Sequence, residues 1–211
     1  MSNSEMEKAL ETPKRGRAYG GVAHEVRAAG RRDALLRAAT QVFGTVGFRK
    51  ATVRSICQEA KLNDRYFYAA FDSAEALLRA TYLHHAQQLH GAVARAVAAR
   101  VDAGLAAFFG YLRDPCAARV LLLEVMGVSA ETDATYQRML LDFGKLIMEI
   151  GATPEAATPA ERIEQRLVGL ALVGAMTNVG AAWLLTGHRD PEAQMVASCR
   201  KVLLGTLRQD G

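Results

Sequence analysis

Residues 52–71 read TVRSICQEAKLNDRYFYAAF, and this stretch decides the fold. Thr52 stands just before an apolar stripe of Val53, Ile56, Cys57 and Ala60 at three- and four-residue spacing, the pattern of a short helix with a hydroxyl at its N-cap. Lys61 and Leu62 occupy a turn, and Asn63 caps a second short helix that runs to about Ala70. Two short helices joined by a tight turn form a helix-turn-helix. The second helix crowds Arg65, Tyr66, Phe67, Tyr68 and Phe71 together. A packed helix needs the two phenylalanines as anchors. Their inward placement sends Arg65, Tyr66, Ala69 and Tyr68 outward, as a reader of the DNA major groove requires.

Outward from this motif the pattern stays helical. From about Arg31, Leu35, Leu36, Ala39, Val42 and Phe43 recur at helical spacing, and Gly44 and Gly47 close that helix. Ser73 caps a long helix that includes Leu77, Thr81, Leu89 and Val93. Further helices are expected at about 102–113, 115–127, 131–150, 161–187 and 191–208, the last opened by Asp190-Pro191. Bounded β-branched runs are absent, so the expected fold is all-α. Residues 1–27 lack apolar periodicity, and Pro13, Gly16, Gly20 and Gly21 are expected to break any helix there. The division that follows is a flexible basic tail at 1–30, a helix-turn-helix domain at 31–82, and a larger helical domain at 83–211.

Composition narrows the function. Half of the 211 residues are apolar and 23% are charged, which is globular rather than disordered. The net charge of +4 is unevenly placed: residues 1–82 hold 14 Lys/Arg against 9 Asp/Glu, and the remainder 12 against 13. The basic excess lies with the helix-turn-helix, where a polyanion would bind. Cys57, Cys116 and Cys199 are odd in number and lack C-x-x-C spacing. Reduced cytosolic thiols are therefore expected rather than disulfides or zinc. No apolar leader opens the chain. His84, His85 and His90 share a helix without a carboxylate or thiol at ligand spacing. No nucleophile elbow, P-loop or dinucleotide fingerprint occurs. The expectation is a non-enzyme without metal or cofactor.

Residues 31–82, RRDALLRAATQVFGTVGFRKATVRSICQEAKLNDRYFYAAFDSAEALLRATY, resemble the DNA-binding domain of the TetR family of bacterial transcriptional regulators. The marks run in order through Ala38-Ala39, Phe43, Gly47-Phe48, Thr52-Val53, Ile56, Ala60, Leu62, Tyr68, Phe71, Ser73, Glu75 and Leu77-Leu78. Two positions depart from the pattern: Lys61 fills a turn position where glycine is usual, and Ala74 stands where a phosphate-binding lysine is common. The resemblance implies phosphate contacts by Thr52 and Tyr68, and a position nearest the base edges for Asn63, Arg65 and Tyr66. Arg65 suits guanine readout; a phosphate clamp or a salt bridge with Asp64 or Asp72 is the alternative. Lys50 would add a phosphate contact. In the tail, Arg15-Gly16-Arg17 resembles an AT-hook, in which Arg15 and Arg17 would lie in an A·T-rich minor groove.

The resemblance further implies a homodimer through residues 161–208 on a palindromic double-stranded operator, and a small-molecule effector bound in the larger domain. Candidate lining residues are Phe108, Phe109, Tyr111, Met126, Tyr136, Met139, Phe143, Met176 and Asn178, an apolar set that suits an apolar effector. A repressor released by its effector is the expected function, without a membrane. Residues 167–185, LVGLALVGAMTNVGAAWLL, carry no charge and are long enough to span a bilayer, so a membrane-associated helical protein is one alternative. A TetR-like fold without specific DNA binding is another.

Overall fold

The computed structural model describes residues 17–98, 100–149 and 158–207. Its helices are α1 (Arg17–Val46), α2 (Val53–Ala60), α3 (Asp64–Tyr68), α4 (Ala74–Val97), α5 (Val101–Tyr111), α6 (Pro115–Leu122), α7 (Ala130–Glu149), α8 (Pro159–Leu185) and α9 (Glu192–Leu207), with a 3₁₀ turn at Phe48–Lys50. No strand occurs among the described residues, so the fold is all-α as expected. Capping explains most starts. Thr52, Asn63, Ser73 and Asp114 each accept from a backbone N–H in the first turn that follows. Thr158 and Glu161 satisfy one another's ends in a reciprocal cap, followed by Pro159 at the first helical position.

One expectation fails. Helix α1 begins at Arg17 and runs through Gly20 and Gly21, so residues 17–30 are helical rather than an irregular tail. Glycine costs a helix about 1 kcal/mol relative to alanine and does not forbid it. Extending a helix already anchored by Leu35, Ala39 and Phe43 also avoids the unfavourable nucleation step. Residues 1–16, including Arg15, lie outside the described residues.

α1, α2, α3 and the start of α4 form a small head whose core is Leu35, Phe43, Ile56, Phe67 and Leu77, each fully buried. α4 then leaves the head and packs along α5 and α7, while α8 packs on α7 and α6, and α9 on α5. Head and body are therefore continuous through α4 and through the crossing of α1 on α6. Gly44 makes that crossing possible, because a Cβ there would overlap the backbone of Cys116. Gly44→Ala is expected to destabilise the protein by about 1–3 kcal/mol despite alanine's better helix propensity. Urea unfolding of the two proteins would test this; an unchanged or raised midpoint would mean that the crossing adjusts freely.

Candidate nucleic-acid interface and effector cavity

α3 is set by its two phenylalanines. Phe67 has no exposure and Phe71 only 5%; their rings lie 6.2 Å apart, and the Arg32 guanidinium covers Phe71 at 4.2 Å while donating to the Ala70 carbonyl at 3.1 Å. This anchorage leaves Asn63, Asp64, Arg65, Tyr66, Tyr68 and Ala69 exposed. Tyr68 is 61% exposed and rests edge-on against Phe67 at 5.2 Å. The Arg31 guanidinium from α1 sits 4.7 Å over the Tyr66 ring. Arg65 makes none of the salt bridges among the described residues, so its guanidinium is not tied to Asp64 or Asp72. The Asn63 side chain accepts from the Tyr66 N–H at 3.3 Å. Thr52 likewise caps α2, its hydroxyl accepting from the Ser55 N–H at 3.1 Å. Lys50 ends the 3₁₀ turn, exposed, two residues before that cap. Lys50, Thr52 and the outer side of α3 are thus all exposed elements of the head. Arg17 is the first residue of α1.

The turn tolerates Lys61 by adopting the left-handed conformation, φ 55° and ψ 39°, with its N–H directed at the Cys57 and Gln58 carbonyls. A lysine held there costs about 1–2 kcal/mol that glycine would not. Ala74 is simply the first residue of α4.

In the body, α4, α5, α7 and α8 enclose a cavity with about 90 Å³ open to the centre of a water molecule. Phe108, Tyr136, Phe143 and Met176 line it, together with Tyr82, Leu89, Val93 and Leu105. The other five candidates lie elsewhere. Phe109 is fully buried against Trp183, with ring centroids 5.6 Å apart. Tyr111 turns to His85 and Gln88. Met126 is 62% exposed beyond the end of α6. Met139 faces a separate shallow groove with Gln87 and His90. Asn178 is exposed on α8. Helical periodicity cannot tell such faces apart, because α5, α7 and α8 each have apolar residues on more than one side. Tyr82 was missed because none of the candidate lining residues was placed on α4.

Sequence also left the head-to-body contacts unread. Glu124 accepts from the Phe48 N–H at 2.7 Å and pairs with Arg119 at 2.6 Å. The Glu75 carboxylate on the first turn of α4 accepts from Ser129 at 2.5 Å, Thr132 at 3.1 Å and Arg79 at 2.9 Å. The two hydroxyls and the Arg79 guanidinium hold it below the usual carboxylate range. Ser129 also accepts from the Thr132 N–H at 3.2 Å. The N-terminus of α7 is therefore clamped to α4 two residues after the head's last cap. A third link runs from Thr40 on α1 through His85 on α4 to Tyr111 on α5, both contacts at 2.8 Å. These partners are distant in sequence, and no local pattern marks them.

Residues 35–81 match the family model described as bacterial regulatory proteins, tetR family. No curated protein matches the chain. Among solved structures, the chain is similar to the fatty acid degradation regulator FadR from Bacillus halodurans, at TM-score 0.66 and 21% identity, covering 84% of this chain and 96% of that one. FadR from Bacillus subtilis, solved in complex with stearoyl-CoA, gives TM-score 0.64 at 16% identity and covers 81% and 96%. A TetR-like transcriptional regulator from Rhodococcus sp. RHA1 gives 0.65 at 19% and covers 84% and 95%. At these identities the neighbours establish the fold, and the helix-turn-helix head, residues 35–81, is that of the tetR family of bacterial regulatory proteins.

Proposed function

We propose that the protein is a homodimeric repressor that binds a palindromic operator and is released from it by a small, largely apolar effector. The observation that carries the DNA-binding part is α3, a helix pinned by fully buried Phe67 with Arg65, Tyr66 and Tyr68 exposed. Such a helix enters the major groove with side chains near its N-terminus at the bases. Arg65 is assigned to a base edge. Tyr66 and Asn63 lie beside it, and Thr52, Tyr68 and Lys50 contact phosphates. Arg15 and Arg17 belong to the arm that would follow the minor groove.

The homodimer reading is supported by α8. Ile163, Leu167, Ala171, Gly174, Asn178, Ala182 and Leu185 recur at three- and four-residue intervals and are all exposed. Its most apolar stretch is only 33% buried within the chain, and a second copy would cover that face, with small residues allowing close approach. Asn178 fits this stripe better than an effector site. The same helix is apolar enough to cross a membrane by length and composition. Its polar interruptions and its packing on α7 and α6 favour a soluble, cytoplasmic dimer instead. The effector reading rests on the cavity, whose lining is nearly all carbon, and is supported by the stearoyl-CoA complex of a protein with the same fold.

The experiment is a mobility shift with DNA from upstream of the protein's own gene across a salt series. One fragment is expected to bind saturably, with affinity falling steeply as salt rises. Arg65→Ala should cost about 1–3 kcal/mol and relax preference at one base position, whereas Lys50→Ala should weaken all sequences alike. Equal, weak binding to every fragment would reduce the helix-turn-helix to a fold without a reader's function.

A further inference from the structure

Among the described residues the cavity lining includes three polar side chains: Tyr82, Tyr136 and Thr177. Thr177 is satisfied within its own helix, donating to the Val173 carbonyl at 3.0 Å. The two tyrosines are not. Tyr82 on α4 is 3% exposed and Tyr136 on α7 is half-buried. Their rings lie 5.9 Å apart at 47°, and neither hydroxyl has a hydrogen-bond partner among the described residues. Tyr111, by contrast, is bonded to both His85 and Gln88. A hydroxyl without an internal partner is open to a ligand's acceptor, and both of these rings line the cavity. Burial raises the pKa of both hydroxyls, and at Tyr82 the neighbouring Tyr136 raises it further. They remain protonated and able to donate.

Three further facts narrow the ligand. Among the described residues no charged side chain lines the cavity, so a carboxylate or phosphate placed there would lack a counter-ion from them. The tyrosines lie at the end nearest the head, since α4 leaves the head at Ala74 and its lining residues continue from Tyr82 to Val97, a span of about 20 Å at the helical rise. Beyond them the walls are Val93, Val97, Val101, Leu146 and Ile147, which offer only apolar contact. We propose that Tyr82 and Tyr136 are the polar contact of the effector site, donating to an uncharged oxygen acceptor, a carbonyl, ester or ether, carried at the inner end of an otherwise apolar effector. This rests on the effector reading above and specifies its chemistry.

Position gives the contact a consequence. An acceptor shared by Tyr82 and Tyr136 joins α4 to α7, the same two helices that Glu75 clamps to Ser129 and Thr132 one to two turns nearer the head. A ligand that fixes the α4–α7 spacing at one level therefore acts on the clamp at the next. It favours one head orientation to the extent that it binds the two orientations unequally.

The test titrates the full-length protein with nonane, 2-nonanone and nonanoate, read as displacement of Nile red. 2-Nonanone is expected to bind about ten-fold tighter than either of the others, as a buried donor pair rejects analogues that cannot accept from it. Tyr82→Phe and Tyr136→Phe keep the rings and remove only the hydroxyls. Each should erase most of the ketone's advantage and leave nonane unchanged, with melting temperatures confirming that both variants fold. Equal binding of ketone and alkane, a preference for nonanoate, or a ketone advantage that survives both variants would overturn the proposal and leave the apolar cavity standing as an effector site. Failure of Nile red and all three probes to bind would remove the effector reading as well.

Discussion

Phe67→Ala is expected to lower the stability of the head by about 3–5 kcal/mol, the usual cost of truncating a fully buried phenylalanine. The ring has no exposure and packs against both Tyr68 and Phe71. α3 is only five residues long, too short to hold itself together, since isolated helices of that length do not persist in water. Its position on the head depends on this side chain. DNA binding should therefore fall together with head stability, and hydrogen exchange of the α2–α3 amides should accelerate. The neighbouring Tyr68→Ala provides the contrast. Tyr68 is 61% exposed, so its loss should change stability by no more than about 0.5 kcal/mol while weakening DNA binding. Two adjacent aromatics would then give opposite phenotypes, one structural and one functional. If Tyr68→Ala unfolded the head, or Phe67→Ala left it intact, the assignment of α3's inner and outer faces would be wrong.

Acid should loosen the junction between head and body. Burial lowers the His85 pKa from 6.5 to about 4, helped by the neighbouring His84 and opposed by Asp114. The ring bonds Thr40 at Nε2 and Tyr111 at Nδ1. With Tyr111 donating to Gln88 at 3.0 Å, the neutral ring carries its proton on Nδ1 and accepts from Thr40. Thr40 also lies 2.9 Å from the Leu36 carbonyl, so its hydroxyl can turn there if Nε2 gains a proton. Protonation thus breaks no contact; its cost is the burial of charge. Because the folded-state pKa is depressed, the unfolded chain binds the extra proton first as pH falls below 6.5. Stability present at pH 7 is lost progressively down to about pH 4, a total of about 3 kcal/mol. Glu75 acts lower on the scale. Its pKa is also lowered, so its contribution is retained above the ordinary carboxylate value and lost only as pH falls through its folded value. Urea midpoints between pH 7 and 4 measure the His85 effect, and His85→Leu should flatten that part of the profile. A profile as steep in the variant as in the parent would assign the acid sensitivity to other groups.

Periodicity and capping made the helices legible in advance. Thr52, Asn63 and Ser73 stand at the starts of α2, α3 and α4, and the expected later helices agree with the observed ones apart from their ends and α6, which stops at Leu122. These are local signals, carried by interactions within a turn or two of chain. The α1 start was misjudged for the same reason: glycine was weighed as a local breaker, while the helix continues from an end that distant packing holds in place. Within the candidate DNA interface, the division between buried Phe67 and exposed Arg65 and Tyr68 follows from spacing alone, because a five-residue helix anchored by two rings has only one way to face.

The cavity was decided by tertiary packing. Phe108 and Phe109 are adjacent in sequence, yet the first lines the cavity and the second packs on Trp183. Composition and period are the same for both, and only the helix on each side distinguishes them. The same holds for Glu75, His85 and Tyr82, whose partners lie 54, 45 and 26, and again 54 residues away in Ser129, Thr40 and Tyr111, and Tyr136. Sequence by itself determined that this chain is helical and carries a helix-turn-helix head, since those properties are written in contacts between near neighbours. What joins the head to the body, and which residues line the cavity, depended on contacts between helices far apart in the chain, which only the folded packing brings together.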